Sequence, residues 1–160
     1  AILESLRWAV PNSRTGLSAE RYLVLPTNTA KTDRHYQPLR KACQQLMDWA
    51  DRDFYYSGIA VTRNFVASPH IDDRDQSFQY AVSLGDFEGG ELCVDGKDAD
   101  GTPVLHVINT RNRIAKADGR HIHWVRTWTG GTRYSLIFYD TTDRFPTPIL
   151  ETGVDEACCV

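Results

Sequence analysis

The stretch Ser77-Phe78-Gln79-Tyr80-Ala81-Val82-Ser83-Leu84 alternates strictly. Phe78, Tyr80, Val82 and Leu84 share one face of an extended chain, and Ser77, Gln79, Ala81 and Ser83 share the other, because successive strand side chains point to opposite sides. A β-strand is predicted here. Downstream, glycines and aspartates punctuate further short runs at Leu92–Val94, Val104–Ile108, Ile122–Val125 and Thr132–Tyr139. Upstream, Tyr22–Leu25 stops at Pro26, and Gly58–Thr62 is rich in β-formers. One helix is predicted over Pro38–Ala50, where Leu39, Ala42, Cys43, Leu46 and Ala50 recur at helical spacing and Pro38 suits the first turn. A weaker helix is expected in the first ten residues. Many short strands after one long helix predict a mainly β fold, a sandwich or jelly roll with a helix packed outside. Helices do not alternate with the strands, so a parallel α/β fold is disfavoured.

The chain has 160 residues, a one-domain length, and the whole of 1–160 is expected to form a single domain. At 41% hydrophobic and 24% charged residues it can build a packed core. Its net charge of −3 argues against wholesale binding to nucleic acid or anionic membrane. No apolar run reaches the ~18 residues of a membrane span. No basic-then-apolar leader opens the chain, so an intracellular protein is expected, and Ala1 in place of Met suggests a processed product or an excised domain. Cys43, Cys93, Cys158 and Cys159 form no C-x-x-C pair and read as ordinary thiols. H-E-x-x-H, G-x-S-x-G, Walker A and deaminase motifs are all absent. Asp95–Gly101 lacks the acidic spacing and terminal Glu of a calcium loop and reads as an Asp-Gly hairpin turn.

The chemistry-bearing residues begin at His70-Ile71-Asp72. In an extended segment His70 and Asp72 project to the same side, so one metal ion can take a nitrogen and a carboxylate oxygen from a single strand end. Further on, His121-Ile122-His123-Trp124-Val125 is followed by a Thr129-Gly130-Gly131 turn and a strand on which Arg133, Ser135, Ile137 and Tyr139 share a face. That turn is predicted to fold the last strand back beside the His123 strand. Two His and one carboxylate leave open positions on a non-haem Fe(II) ion. Arg is the natural anchor for a carboxylate, through two parallel charge-assisted hydrogen bonds.

His70-x-Asp72, then His123 fifty-one residues after Asp72, then Arg133-x-Ser135 ten residues further on, resembles the Fe(II)/2-oxoglutarate-dependent dioxygenase superfamily. The turn Leu84–Leu92 is similar to the one that follows the carboxylate-ligand strand there. The similarity covers about 58–140, roughly half the chain. It implies a double-stranded β-helix, with His70, Asp72 and His123 holding Fe(II). Arg133 would pair with the distal carboxylate of 2-oxoglutarate, with Ser135 in support, and one metal position would remain for O2. The implied reaction is hydroxylation of a C–H bond of an unidentified organic substrate, with release of succinate and CO2. Asp72 disfavours the halogenase variant. Prolyl-4-hydroxylase-like enzymes carry Lys where Arg133 stands, and AlkB-type enzymes carry a second Arg where Tyr139 stands. Asn64-Phe65 is similar to the approach to the metal motif in TET/JBP nucleobase oxygenases, although the long TET insertion is absent. The short chain leaves little sequence for a substrate lid, which implies an open, minimal or partner-completed site.

Other residues carry two readings. His121 shares the face of His123 as a rival ligand, and the ten-residue interval to Arg133 favours His123. Tyr80 either lines the co-substrate pocket or packs in the core. Asn64 either serves a turn or hydrogen-bonds in the active site. His106 reads as a strand histidine, His35 as solvated, and Asp73 as a surface charge. Arg111, Arg113, Lys116, Arg120 and Arg126 form a basic segment that, with Trp124 or Trp128, leaves nucleic acid open without favouring it. Rival functions are a non-catalytic jelly-roll binding module and a cupin-like zinc or manganese protein. Oligomeric state is not legible.

Overall fold

The computed structural model describes residues 1–8, 17–27 and 34–155, with side chains from residue 21 onward in the second stretch. In chain order the strands are β1 (Leu17–Pro26), β2 (Gly58–Ala67), β3 (Gln79–Leu84), β4 (Phe87–Gly89), β5 (Leu92–Lys97) and β6 (Pro103–Ile108), then β7 (Ala115–Ala117), β8 (His123–Val125), β9 (Trp128–Gly130), β10 (Tyr134–Tyr139) and β11 (Val154–Asp155). Helix α1 (Gln37–Ala50) stands between β1 and β2. Among the described residues the larger sheet runs β1-β2-β10-β3-β7-β11, all antiparallel. A three-stranded sheet runs β6-β5-β8, and β4 pairs with β9. This is the jelly-roll arrangement expected from the strand pattern.

The alternation of β2, β3 and β10 assigns the two faces of the larger sheet. Ile59, Val61, Tyr80, Val82, Leu136 and Phe138 form one buried cluster with Leu39, Cys43 and Met47 of α1. Those helix residues recur every four positions and so lie on one side of the helix. Met47 is buried in place of the expected Ala42, which is only half-buried. Pro38 sits in the first turn, and the Asp51 N–H closes the helix on the Met47 carbonyl at 2.8 Å. Phe138 is fully buried at the centre of this layer, so its truncation to Ala removes about 3–5 kcal/mol. The opposite face, carrying Ala60, Thr62, Ala81, Ser83, Ser135 and Ile137, turns towards the smaller sheet and lines a cavity.

Two expectations are corrected. Residues 1–8 form a single turn, with the Ser5 N–H on the Ala1 carbonyl, and not a helix; residues 9 and 10 lie outside the described residues. The Thr129–Gly131 segment does not fold β10 against the His123 strand. Trp128–Gly130 pairs with β4, while β10 inserts between β2 and β3. His35 is exposed, as expected, and its Nε2 accepts the Arg7 N–H at 2.8 Å. The hairpin reading of Asp95–Gly101 holds: Asp98 Oδ1 accepts the N–H groups of Asp100 and Thr102, and Gly101 takes the left-handed conformation. Cys43 and Cys93 are buried free thiols, and Cys158 and Cys159 lie outside the described residues.

Candidate active site

Beyond β2 the chain turns at Ser68-Pro69 and brings His70 beside His123. The two residues exchange backbone hydrogen bonds of 3.1 and 2.9 Å. Each imidazole then repeats the same local arrangement. His70 Nδ1 lies 2.8 Å from the Ser68 carbonyl, and His123 Nδ1 lies 2.9 Å from the His121 carbonyl. A carbonyl oxygen only accepts, so both Nδ1 atoms carry the proton and both Nε2 atoms are available as ligands. Asp72 is pinned through its N–H to the Gly119 carbonyl at 2.8 Å. Its Oδ1 is 3.7 Å from His70 Nε2, and its Oδ2 is 3.4 Å from His123 Nε2. Gln79 Nε2 donates to Oδ2 at 3.2 Å.

These distances bear on whether a cation fits. One ligand atom from each of His70, Asp72 and His123 lies within 4.8 Å of the others. With both Nδ1 atoms protonated, the converging atoms are lone pairs, an arrangement that repels itself unless a proton or metal ion sits among them. Burial pushes the Asp72 carboxyl up, but His123, His70 and the Gln79 amide outweigh it and hold it below the usual range. Burial opposes the charge on His123, yet Asp72 prevails and raises its pKa. Two imidazoles and one carboxylate suit a divalent first-row metal and leave coordination positions open, as Fe(II) oxygen chemistry needs. Gly119 leaves room for this arrangement, since a Cβ there would displace Gln79 Nε2 and come within 2.9 Å of Asp72 Oδ2.

Arg133 lines the same cavity, which measures about 830 Å³, and is only 2% exposed. One Nη donates to Ser135 Oγ at 2.6 Å, and the other to Ser83 Oγ at 2.7 Å and the Gly90 carbonyl at 3.1 Å. Its Nε has no partner, and no carboxylate among the described residues pairs with the guanidinium. Burial brings its pKa down to about 10, against the pull of Glu91, so it is still charged at neutral pH. A buried cation without a counter-ion is costly. Ser135 lies opposite Ser83 on β3 and Thr62 on β2, and Ser83 Oγ contacts Thr110 Oγ1 at 2.6 Å. The result is a row of hydroxyls beside one guanidinium, with the Thr62 hydroxyl unpartnered. Such a group of donors has the chemistry to accept an anion.

Asn64 is not a wall of this cavity. It takes the left-handed conformation, with φ 52°, and grips the Arg133 backbone. Of the two readings of Tyr80 the pocket one is corrected and core packing holds: it faces α1, 2% exposed, and its hydroxyl donates to Asp51 Oδ2 at 2.8 Å. The sheet has two covered faces, and Tyr80 belongs to the helix side. His121 is spoken for by the Leu150 carbonyl at 2.7 Å. The basic segment is largely taken up internally. Arg120 pairs with Asp118 at 2.7 Å, Lys116 with Asp155 at 3.3 Å, and Arg111 with Asp86 at 3.5 Å. Ser83, Gln79, Thr62, Thr110, Gly90 and Gly119 were not singled out from the sequence. Ser83 and Gln79 could have been, because they alternate with Tyr80 on the face opposite to it.

No family profile matches the chain, and no curated protein does. Solved structures do. An oxidoreductase of the 2OG-Fe(II) oxygenase family from Burkholderia pseudomallei aligns with a TM-score of 0.57 at 20% identity, over 89% of this chain and 75% of that one. A Pseudomonas putida prolyl-4-hydroxylase aligns with a TM-score of 0.45 at 16% identity, over 83% and 77%, a likeness too loose to bear on function. The first shares the fold. The chain therefore has the jelly-roll fold seen in the 2OG-Fe(II) oxygenases, as its sequence resemblance implies, with a two-histidine, one-carboxylate cluster inside it.

Proposed function

We propose that this protein is an Fe(II)- and 2-oxoglutarate-dependent oxygenase that hydroxylates a C–H bond of an organic substrate, releasing succinate and CO2. The observation that carries the reading is a buried Arg133, paired with no carboxylate among the described residues, lining the same cavity as the three converging ligand atoms. A metal triad alone fits several chemistries. A metal triad facing a carboxylate receptor fits one that consumes a keto-diacid.

His70, Asp72 and His123 would hold the iron. The Ser68 and His121 carbonyls and the Gln79 amide fix the orientation of these ligands, so little reorganisation is needed on metal binding. Bound iron and 2-oxoglutarate supply the oxidising chemistry; the protein supplies position and shelter. Arg133, Ser135 and Ser83 would take the distal carboxylate, which fixes the other end of the co-substrate relative to the metal. Ala60, Ala81 and Ile137 add an apolar stretch to the cavity wall. Asn64 serves the Arg133 backbone, and Arg111, Lys116 and Arg120 of the basic segment are paired internally, so neither feature favours a nucleobase over other substrates.

Succinate release tests this. Protein supplied with Fe(II), 2-oxoglutarate and O2 should form succinate slowly even without substrate; His70→Ala and His123→Ala should each abolish it, and Arg133→Ala should need far more 2-oxoglutarate to sustain it. A wild type that forms no succinate and binds no 2-oxoglutarate would return the chain to a jelly-roll binding module.

A further inference from the structure

A second ionisable side chain on the cavity wall, of opposite sign to Arg133, also has a buried polar atom without a hydrogen bond. Asp75 is 8% exposed and lines the cavity, and its Oδ2 has no hydrogen-bond partner. Its N–H donates to the Asp72 carbonyl at 3.2 Å, which seats it next to the proposed iron ligand. Asp72, His123, Asp118 and Arg120 are the charged groups around it. The one permanent cation among these, Arg120, is committed elsewhere, with two hydrogen bonds to the Asp118 carboxylate at 2.8 and 2.7 Å and another to the Thr147 carbonyl at 2.8 Å. A carboxylate removed from water and left without a cation is unfavourable unless something else supplies one.

Charge counting gives the sign of that missing partner. Asp118 is balanced by Arg120. In the loaded site, a ferrous ion and Arg133 together balance Asp72 and the two carboxylates of 2-oxoglutarate. Asp75, once ionised, then adds a negative charge to the wall that no cation among the described residues is left to balance. Trp124 and Tyr139 also line the cavity, and aromatic faces accommodate cations.

We propose, resting on the oxygenase reading above, that Asp75 is the substrate-recognition residue and that the substrate carries a protonated amine or a guanidinium. Such a group makes charge-assisted hydrogen bonds to the Asp75 carboxylate. It also holds the rest of the substrate near the metal, because Asp75 is only three residues from Asp72.

Binding of N-acetyl-L-lysine amide and N-acetyl-L-arginine amide, compared with uncharged N-acetyl-L-norleucine amide, tests this by saturation-transfer NMR on the metal-free protein with 2-oxoglutarate present. The wild type should prefer the two cationic probes by roughly tenfold. Asp75→Asn, which keeps the shape, and Asp75→Ser, in case the first misfolds, should both lose that preference. The Fe(II)–2-oxoglutarate absorbance should be unchanged in the folded variants. No preference in the wild type, or a preference that persists in the folded variants, would overturn the assignment. A wild type that discriminates through Asp75 but gives no iron–2-oxoglutarate absorbance would refute the oxygenase reading and leave Asp75 as a cation site.

Discussion

Asn64 and Arg133 hold each other by the backbone: the Asn64 N–H donates to the Arg133 carbonyl at 2.8 Å, and Asn64 Oδ1 accepts the Arg133 N–H at 3.0 Å. This clasp sits where the β2–β10 ladder ends at Arg63 and Tyr134, so it extends strand order by one residue to the base of the guanidinium. Asn tolerates the left-handed conformation better than other non-glycine residues, and its short amide reaches a neighbouring N–H. Asn64→Ala should destabilise the fold by about 1–3 kcal/mol, from backbone strain and an unmet N–H. Asn64→Gly relieves the strain and isolates the lost hydrogen bond. Both variants should bind Fe(II) normally and 2-oxoglutarate more weakly. Unchanged 2-oxoglutarate affinity in Asn64→Gly would show that the clasp does not position Arg133.

Gly119 offers a test of the metal site that touches no ligand. Gly119→Ala puts a methyl group against Gln79 Nε2 and Asp72 Oδ2. The Gln79 side chain must shift, and Asp72 loses its orienting hydrogen bond. Metal affinity should drop by about 10–100-fold, as for other losses of outer-shell support. Competition with a metal-sensitive dye measures it, and an unchanged affinity would count against the geometry described.

The hydroxyl row should act as a unit with Arg133. Ser83→Ala removes one of the three guanidinium partners and leaves Thr110 without its 2.6 Å contact; Ser135→Ala removes the partner of the other Nη. Each should weaken 2-oxoglutarate binding by about 0.5–1.5 kcal/mol, and the double variant should depart from additivity because both serve one group. Titration calorimetry of the three variants checks this.

Acidity should act on metal binding and on stability with separate signatures. Asp72 raises the His123 pKa, so as pH falls a proton increasingly competes for the Nε2 that metal requires. Metal affinity should therefore fall on acidification, starting at a higher pH than an unperturbed histidine would give. In the metal-free protein, burial and the neighbouring Asp72 push Asp75 from 3.8 up to about 7. Between those values the folded chain keeps a proton that the unfolded chain releases, so Asp75 makes stability fall as pH rises through that window. Melting curves of metal-free wild type across the window should show this fall, and Asp75→Asn should flatten it. Equal slopes in the two proteins would contradict the burial described for Asp75.

Much of the site was legible because its parts are local. His70 and Asp72 sit two residues apart, and Arg133 and Ser135 do likewise, so strand periodicity alone put each pair on one face. The helix and the strand bodies were legible for the same reason. What was not legible is non-local. The Thr129–Gly131 turn reads as a hairpin, yet β9 pairs with β4 and β10 travels to the other sheet. Alternation separated Tyr80 from Gln79 and Ser83 correctly but could not say which face meets a helix and which meets a cavity. The basic segment looked available because its partners Asp86 and Asp155 lie far away in sequence. Asp75 was one acid in an acidic stretch until the fold buried it.

Anaerobic addition of Fe(II) and 2-oxoglutarate, followed by visible absorbance, tests the joint role of the triad and Arg133. Wild type should develop a charge-transfer band that saturates with 2-oxoglutarate. His70→Ala and His123→Ala should lose it together with bound iron, and Arg133→Ala should keep the iron but need far more 2-oxoglutarate to show it. A colourless wild-type mixture, or an Arg133→Ala protein that saturates at the wild-type concentration, would contradict the assignment of these four residues.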